Sequence, residues 1–113
     1  MKTYILRFRQ IDRVNFEEVR SGEKSIETRA ATVKYRPIVV GDEIKFVCGD
    51  DSFVKMISNV YHWPSVDAMV KEIPFKKVMP SGESVAELKK AYASYPGYEE
   101  KIKEFGLLGF EFA

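Results

Sequence analysis

The sequence predicts an α+β fold, a small mixed and mainly antiparallel β-barrel with helices inserted between its strands. Four segments rich in β-branched and aromatic residues precede residue 64, and each is bounded by turn-forming residues. Two of these segments are joined by Gly-Asp-Asp-Ser at residues 49–52, which is typical of a hairpin turn. After residue 64 the apolar residues recur mainly at helical spacing. Because hairpins dominate, the pattern favours a barrel over a doubly wound parallel sheet.

The first half of the chain is predicted to hold four strands and one short helix. Asp12 or Asn15 can cap the helix, and Gly22 supplies its natural stop. Residues 37–40 form a short extended piece before a Gly41-Asp42 turn. The predicted strands are residues 2–8, 24–31, 43–48 and 53–63.

The second half is predicted to hold three helices and a closing strand. Pro64-Ser65 opens the first helix, which runs to about residue 72. Ser84 begins the second helix, with Glu87 three residues on in a capping-box pattern. Pro96-Gly97 ends that helix. Residues 98–105 form the third helix, and residues 107–112 form the strand.

Length and composition predict one globular domain that spans residues 1–113. Hydrophobic residues make up 45% of the chain and charged residues 31%, which is the balance of a globular protein. Cys48 is the single cysteine and His62 the single histidine, so an internal disulfide, a Cys-rich zinc site and a multi-histidine cluster are excluded. Cys48 alternates in phase with Ile44 and Phe46, which favours core packing. We expect no metal and no cofactor.

The apolar residues are too scattered to predict a membrane segment. No apolar run approaches the ~20 residues that a bilayer-spanning helix needs. Arg7 and Arg9 interrupt the apolar stretch near the amino terminus, so no signal peptide is predicted there. We therefore expect a soluble, cytoplasmic protein.

Basic residues concentrate in the first third of the chain. The net charge is +1 overall, but residues 1–36 hold nine basic and five acidic groups, including all six arginines. Arginine binds phosphate and carboxylate oxygens through two parallel hydrogen bonds and is therefore better suited to them than lysine. An anion site is therefore to be sought in this segment, although scattered solvated charges would give the same composition.

The most informative segment is Ser-Gly-Glu-Lys-Ser-Ile-Glu-Thr-Arg, residues 21–29. In a strand that begins at Lys24, Glu27 and Arg29 share one face, while Ile26 and Thr28 share the other. Lys24, Glu27 and Arg29 can then converge on the edge of one pocket. Two cations and one carboxylate suit an anion or the polar edge of a base. The alternative is a surface ion-pair ladder worth ~0–1 kcal/mol.

Residues 22–29 resemble the GxKxxExR signature of the ASCH family, a PUA-like group of small β-barrels. Gly22, Lys24, Glu27 and Arg29 occupy its four fixed positions. The resemblance extends over nearly the whole chain, because the preceding strand and helix, the Gly41-Asp42 turn and the helix–Tyr-Pro-Gly–strand ending are similar as well. It implies a barrel with a cleft beside the motif that binds RNA or a nucleotide.

One branch of the family removes the acetyl group from N4-acetylcytidine, with a lysine that assists a threonine nucleophile and a downstream glutamate. This sequence has Lys24 at the lysine position. It has Glu27 at the threonine position and Ser81 where the downstream glutamate aligns, with Glu83 only nearby. Thr28 is not expected to replace that threonine, because neighbouring strand residues face opposite ways.

Three functions therefore stay open. The favoured one is RNA or nucleotide binding, in which Glu27 accepts from an exocyclic amine while Lys24 or Arg29 binds a carbonyl or phosphate. The second is hydrolysis of an acylated cytidine, with Lys24 as base and Glu27 positioning water. The third is an interaction module without a small ligand.

Three residues outside the motif are weaker candidates for ligand binding. Tyr35 and Arg36 precede Pro37 in a loop, and loops often carry binding residues. His62 lies between Tyr61 and Trp63 at a strand end, where it is either a general base or stacking partner, or simply a strand-end cap.

We predict that the protein is thermophilic and melts above the mesophile range. The chain has 12 Lys and 12 Glu against one Gln and two Asn, a bias seen in hyperthermophiles. Calorimetry is expected to show a melting temperature above roughly 65 °C. Reversible melting at roughly 45–65 °C would contradict this prediction.

Overall fold

Five strands form one curled, mixed sheet in this computed structural model, which describes residues 1–113. The order across the sheet is β1-β3-β4-β5-β2; β1 and β3 run parallel and the other neighbours are antiparallel. Because β1 and β2 do not pair, the sheet is an open half-barrel. The strands are β1 (Thr3–Phe8), β2 (Ile26–Ala30), β3 (Glu43–Cys48), β4 (Asp51–Trp63) and β5 (Leu107–Phe112).

The long strand β4 accounts for the curl. Its first half pairs with β3 and its second half with β5. The register shifts between Ile57 and Asn59, where the strand passes from one partner to the other. Such an irregularity increases local twist, so one strand can serve two differently oriented parts of the sheet.

Four helices lie between the strands, and three of their ends follow from the sequence. Ser65 Oγ accepts from Ala68 N–H and Ser84 Oγ accepts from Glu87 N–H, both at 3.1 Å. Gly22 ends the first helix with φ of 90°, a conformation that favours glycine. The helices are α1 (Arg13–Ser21), α2 (Val66–Glu72), α3 (Val85–Ser94) and α4 (Tyr98–Phe105).

Two local predictions are wrong in detail. Asp12 occupies the N-cap position of α1 as predicted, but its carboxylate accepts from Arg9 Nε at 2.8 Å and makes no capping hydrogen bond, and Asn15 lies inside the helix. The predicted strand 24–31 narrows to Ile26–Ala30, since the Lys24 N–H donates to the Glu18 carbonyl of α1 and Ser25 N–H to the Lys77 carbonyl. Lys24 is therefore held by the turn after α1.

Two apolar clusters pack against the sheet. The first packs α1 against the strands, and the second packs β2 and β5 against α2, α3 and α4. β5 contributes Leu108 and Phe110 to the first cluster and Leu107 to the second. This part of the sheet is therefore covered on both faces. None of the helices has the length and apolar character that spanning a membrane requires.

Gly109 lets the Trp63 indole pack closely against β5. A Cβ at position 109 would come within 2.6 Å of the Trp63 ring, which is only 3% exposed and has no room to move. We predict that Gly109→Ala destabilises the protein by roughly 1–3 kcal/mol through overpacking. Denaturant unfolding measures the loss.

The double variant Gly109→Ala/Trp63→Phe tests the cause. Phenylalanine is smaller than tryptophan, so Trp63→Phe is expected to lower the free energy of unfolding less in the Gly109→Ala background than in the wild type. If the free energies of unfolding lost in the two single variants simply added in the double variant, the steric explanation would be contradicted.

Candidate functional site

A cavity of about 490 Å³ opens where the half-barrel fails to close. Its lining comes from the edge strands β1 and β2 and from helices α3 and α4. Lys24, Glu27 and Arg29 all line it. The three residues that share the motif in sequence therefore also share one recess in space.

Lys24 and Glu27 form a buried ion pair in this cavity. They are 7% and 4% exposed, and Lys24 Nζ lies 3.3 Å from Glu27 Oε1. The same Oε1 accepts from Thr28 N–H at 2.9 Å. The other carboxylate oxygen, Oε2, is buried and has no hydrogen-bond partner. An unpaired buried acceptor costs about 1–3 kcal/mol, so a ligand that donates to Oε2 would recover that free energy.

Side chains accept hydrogen bonds from the backbone N–H groups on the outer edge of β2, where no strand pairs with it. The Thr28 N–H donates a hydrogen bond to Glu27 Oε1, and the Ala30 N–H donates one to the Tyr98 hydroxyl, both at 2.9 Å. Thr28 Oγ1 also makes a hydrogen bond with the Tyr92 hydroxyl. Because the cavity wraps around this edge, residues from both faces of β2 line it.

Three tyrosines form an aromatic wall. Tyr92 and Tyr98 have nearly parallel rings with centroids 6.2 Å apart, and Tyr95 meets Tyr98 edge-on at 5.6 Å. Burial raises the pKa of all three hydroxyls, that of Tyr98 to about 12. At neutral pH the wall is therefore uncharged and does not repel an anion.

Arg29 is held between aromatic rings. Its guanidinium lies 5.2 Å from the Phe8 ring centroid and 5.9 Å from that of Tyr35. Burial by itself lowers the pKa of Arg29, but attraction to Glu27, with smaller contributions from Tyr98 and Tyr35, outweighs it and raises the pKa. Arg29 is thus a fixed positive charge.

The cavity as a whole is electropositive. Two carboxylates, Glu27 and Asp12, face five cations. A positive recess with aromatic walls suits a ligand that has both a ring and an anionic group. The cations are Arg7, Arg9, Lys24, Arg29 and Lys101.

The other predicted ligand residues lie away from the cavity lining. Tyr35 reaches the site only through Arg29. Arg36 lies over the Phe105 ring at 5.6 Å, and His62 Nε2 is 3.0 Å from the Phe105 carbonyl oxygen. Glu83 is also outside the lining.

The sequence pattern predicts neither the tyrosine wall nor the place of Thr28 in the cavity lining. Tyr92, Tyr95 and Tyr98 recur every three residues around Pro96-Gly97, which was the available signal. Thr28 does point to the face opposite Glu27, as alternation predicts, but the cavity reaches that face too. No three or more His, Cys, Asp or Glu side chains are grouped to hold a metal ion.

Two solved structures resemble this chain over nearly its whole length. The crystal structure of hypothetical protein PH0355 is 26% identical, with a TM-score of 0.80 over 99% of this chain and 97% of that one. The solution NMR structure of Protein PF0455 from Pyrococcus furiosus is 24% identical, with a TM-score of 0.75 over 97% and 94%. These likenesses show a shared α+β fold. No family model and no curated protein matches the chain.

We predict that Tyr98 makes stability fall at alkaline pH. Its pKa is raised from about 10 when unfolded to about 12 when folded, so its contribution is complete below pH 10 and is lost as pH rises towards 12. Tyr98→Phe is expected to weaken that decline. It should also cost roughly 1–3 kcal/mol at pH 7, because Ala30 N–H loses its acceptor.

Urea unfolding at several pH values measures both effects. Tyr4→Phe is the matched control, since the Tyr4 side chain lies outside the cavity and its hydroxyl makes no hydrogen bond. An unchanged alkaline slope in Tyr98→Phe would contradict the assignment.

Proposed function

We propose that this protein is an ASCH-type, PUA-like domain that binds RNA or a nucleotide, with a base held in the cavity beside Lys24, Glu27 and Arg29. The observation that carries the proposal is the Glu27 carboxylate. One of its oxygens is committed to Lys24 and Thr28, the other is buried without a partner in the protein, and Glu27 belongs to the residues that line the cavity.

The chemistry of a base complements this arrangement. Cytosine and adenine carry exocyclic amino groups, which donate hydrogen bonds to carboxylate oxygens. Tyrosine rings stack on bases, a contact worth ~1–3 kcal/mol. The excess of cations suits phosphate. Donor recognition, stacking and charge are thus available within one recess.

The local structure gives each motif residue a physical role. Gly22 turns the chain out of α1, which delivers Lys24 to the buried pair. Glu27 holds that pair on the edge of β2, and Arg29 sits two residues on, on the same face of the strand. The spacing therefore supports a ligand site more than an exposed ladder of ion pairs.

Hydrolysis of N4-acetylcytidine is the second candidate. The buried Lys24 against a carboxylate, with the Thr28 hydroxyl lining the same cavity, favours it. In this mechanism Lys24, in its neutral form, would take a proton from a water molecule that Glu27 positions. The water oxygen would bond to the acetyl carbon, the bond from that carbon to N4 would break, and the proton would pass to the departing amine. An interaction module without a small ligand is disfavoured by the cavity beside Lys24.

We predict that removing the ion pair weakens ligand binding at least tenfold. Lys24→Ala/Glu27→Ala deletes both partners of the ion pair, but it also takes the acceptor from the Thr28 N–H and the nearby carboxylate from Arg29, so circular dichroism is used to check that the variant is folded. Titration with cytidine, adenosine and short single-stranded RNAs should show binding to the wild type and at least tenfold weaker binding to the double variant, since charged hydrogen bonds are worth about 1.5–3 kcal/mol.

Glu23→Gln is the control, because Glu23 is an exposed carboxylate of the same segment outside the cavity. It should bind as the wild type does. Equal binding by the wild type and the Lys24→Ala/Glu27→Ala variant would refute the proposed site.

Incubation with N4-acetylcytidine separates binding from catalysis. Cytidine that is released by the wild type and not by Lys24→Ala would establish the hydrolase. No turnover at any pH would eliminate the hydrolase.

A further inference from the structure

Basic side chains at the entrance of the cavity have no partner inside the protein. Arg7 on β1 and Lys101 on α4 line the cavity, are solvent-exposed and form no salt bridge. Arg9 lines it as well, but its Nε is bound to Asp12 at 2.8 Å and its guanidinium lies over the Tyr95 ring. Arg7 and Lys101 are called the entrance pair below.

Arg7 differs from every other arginine of the chain. Arg9, Arg13 and Arg20 are paired with carboxylates, and Arg29 and Arg36 lie over aromatic rings. Arg7 has neither a carboxylate nor a ring as partner. Its five donors are therefore free at the rim of an electropositive recess.

Lys101 reaches the same recess from another element. It lies one helical turn after Tyr98, on the same face of α4, so the helix presents an aromatic ring and a cation to the cavity together. The buried Lys24 is already engaged by Glu27. The cations without a partner, Arg7 and Lys101, are thus at the entrance of the cavity. The acceptor without a partner, Glu27 Oε2, is buried.

We propose that the entrance pair binds the phosphate of the ligand and makes the site select nucleotides over nucleosides. This inference rests on the proposed function, because it requires a base beside Glu27. The phosphate belongs either to a free nucleotide or to an RNA strand, and both offer the same anionic oxygens. Charge-assisted hydrogen bonds from a guanidinium and an ammonium hold these oxygens outside the base pocket.

The experiment compares matched ligands by titration calorimetry at low and high salt. The probes are cytidine, adenosine, their 5′-monophosphates and the dinucleotide cytidylyl-uridine. The wild type is expected to bind a phosphorylated probe about tenfold more tightly than its nucleoside at low salt. The gain should shrink as salt rises, because exposed charges are screened. Whether the gain appears with the monophosphates or with the dinucleotide identifies the source of the phosphate.

The variant Arg7→Gln/Lys101→Gln should lose this preference and keep the nucleoside affinity within about twofold. Arg36→Gln/Lys103→Gln is the matched control, because it also removes one arginine and one lysine, but at positions outside the cavity. Lys103 is on the same helix as Lys101. The control variant should retain the preference. All four positions are exposed, so circular dichroism is expected to show unchanged folding.

The outcomes separate the two proposals. Nucleosides that bind as tightly as every phosphorylated probe, or a control pair that abolishes the preference as fully as the entrance pair does, would overturn this inference and leave the proposed function standing. If the wild type bound none of the probes, both would fail.

Discussion

The outer edge of β2 carries backbone N–H groups that no neighbouring strand reaches, and the surrounding side chains are arranged to meet that need. Glu27 turns back on its own strand to accept from Thr28, and Tyr98 reaches from α4 to accept from Ala30. Unpaired backbone groups are costly when buried, so this edge requires polar partners beside an apolar core. The same requirement places a carboxylate and a tyrosine at the cavity.

The buried ion pair follows from this constraint. A carboxylate at the edge of β2 is only 4% exposed, and a buried charge needs a counter-charge. Lys24 supplies it from the turn after α1, where its backbone is fixed to the Glu18 carbonyl. The site thus combines a rigid strand with a fixed turn, and its polar atoms are positioned before any ligand arrives. Such preorganisation would lower the entropy lost on binding of the proposed ligand.

Local chemistry in the sequence was sufficient to predict the elements and part of the site. Helix starts at Ser65 and Ser84 and the stop at Gly22 depend on hydrogen bonds within a few residues, so they could be read directly. Alternation along the strand was enough to bring Glu27 and Arg29 to one face, and Lys24 joins them from the turn after α1.

The rest depended on contacts distant in sequence. The tyrosine wall requires that α3 and α4 pack beside β2, which no local period specifies. Arg36 and His62 lie near Phe105 instead of near the motif, because the strand order and the path of α4 determine their surroundings. Thr28 lines the cavity because the sheet stays open at β2, and openness is a property of the whole sheet.

The pairing of β2 with β5 has a consequence for synthesis of the protein. Ile26 lies opposite Glu111, so β2, which carries the motif, finds its only paired strand 85 positions later in the chain. A nascent chain that stops short of residue 107 has no partner for β2 and no support for Glu27. The recess consequently assembles only after residues 107–112 have been synthesised, and contacts this remote in sequence slow folding.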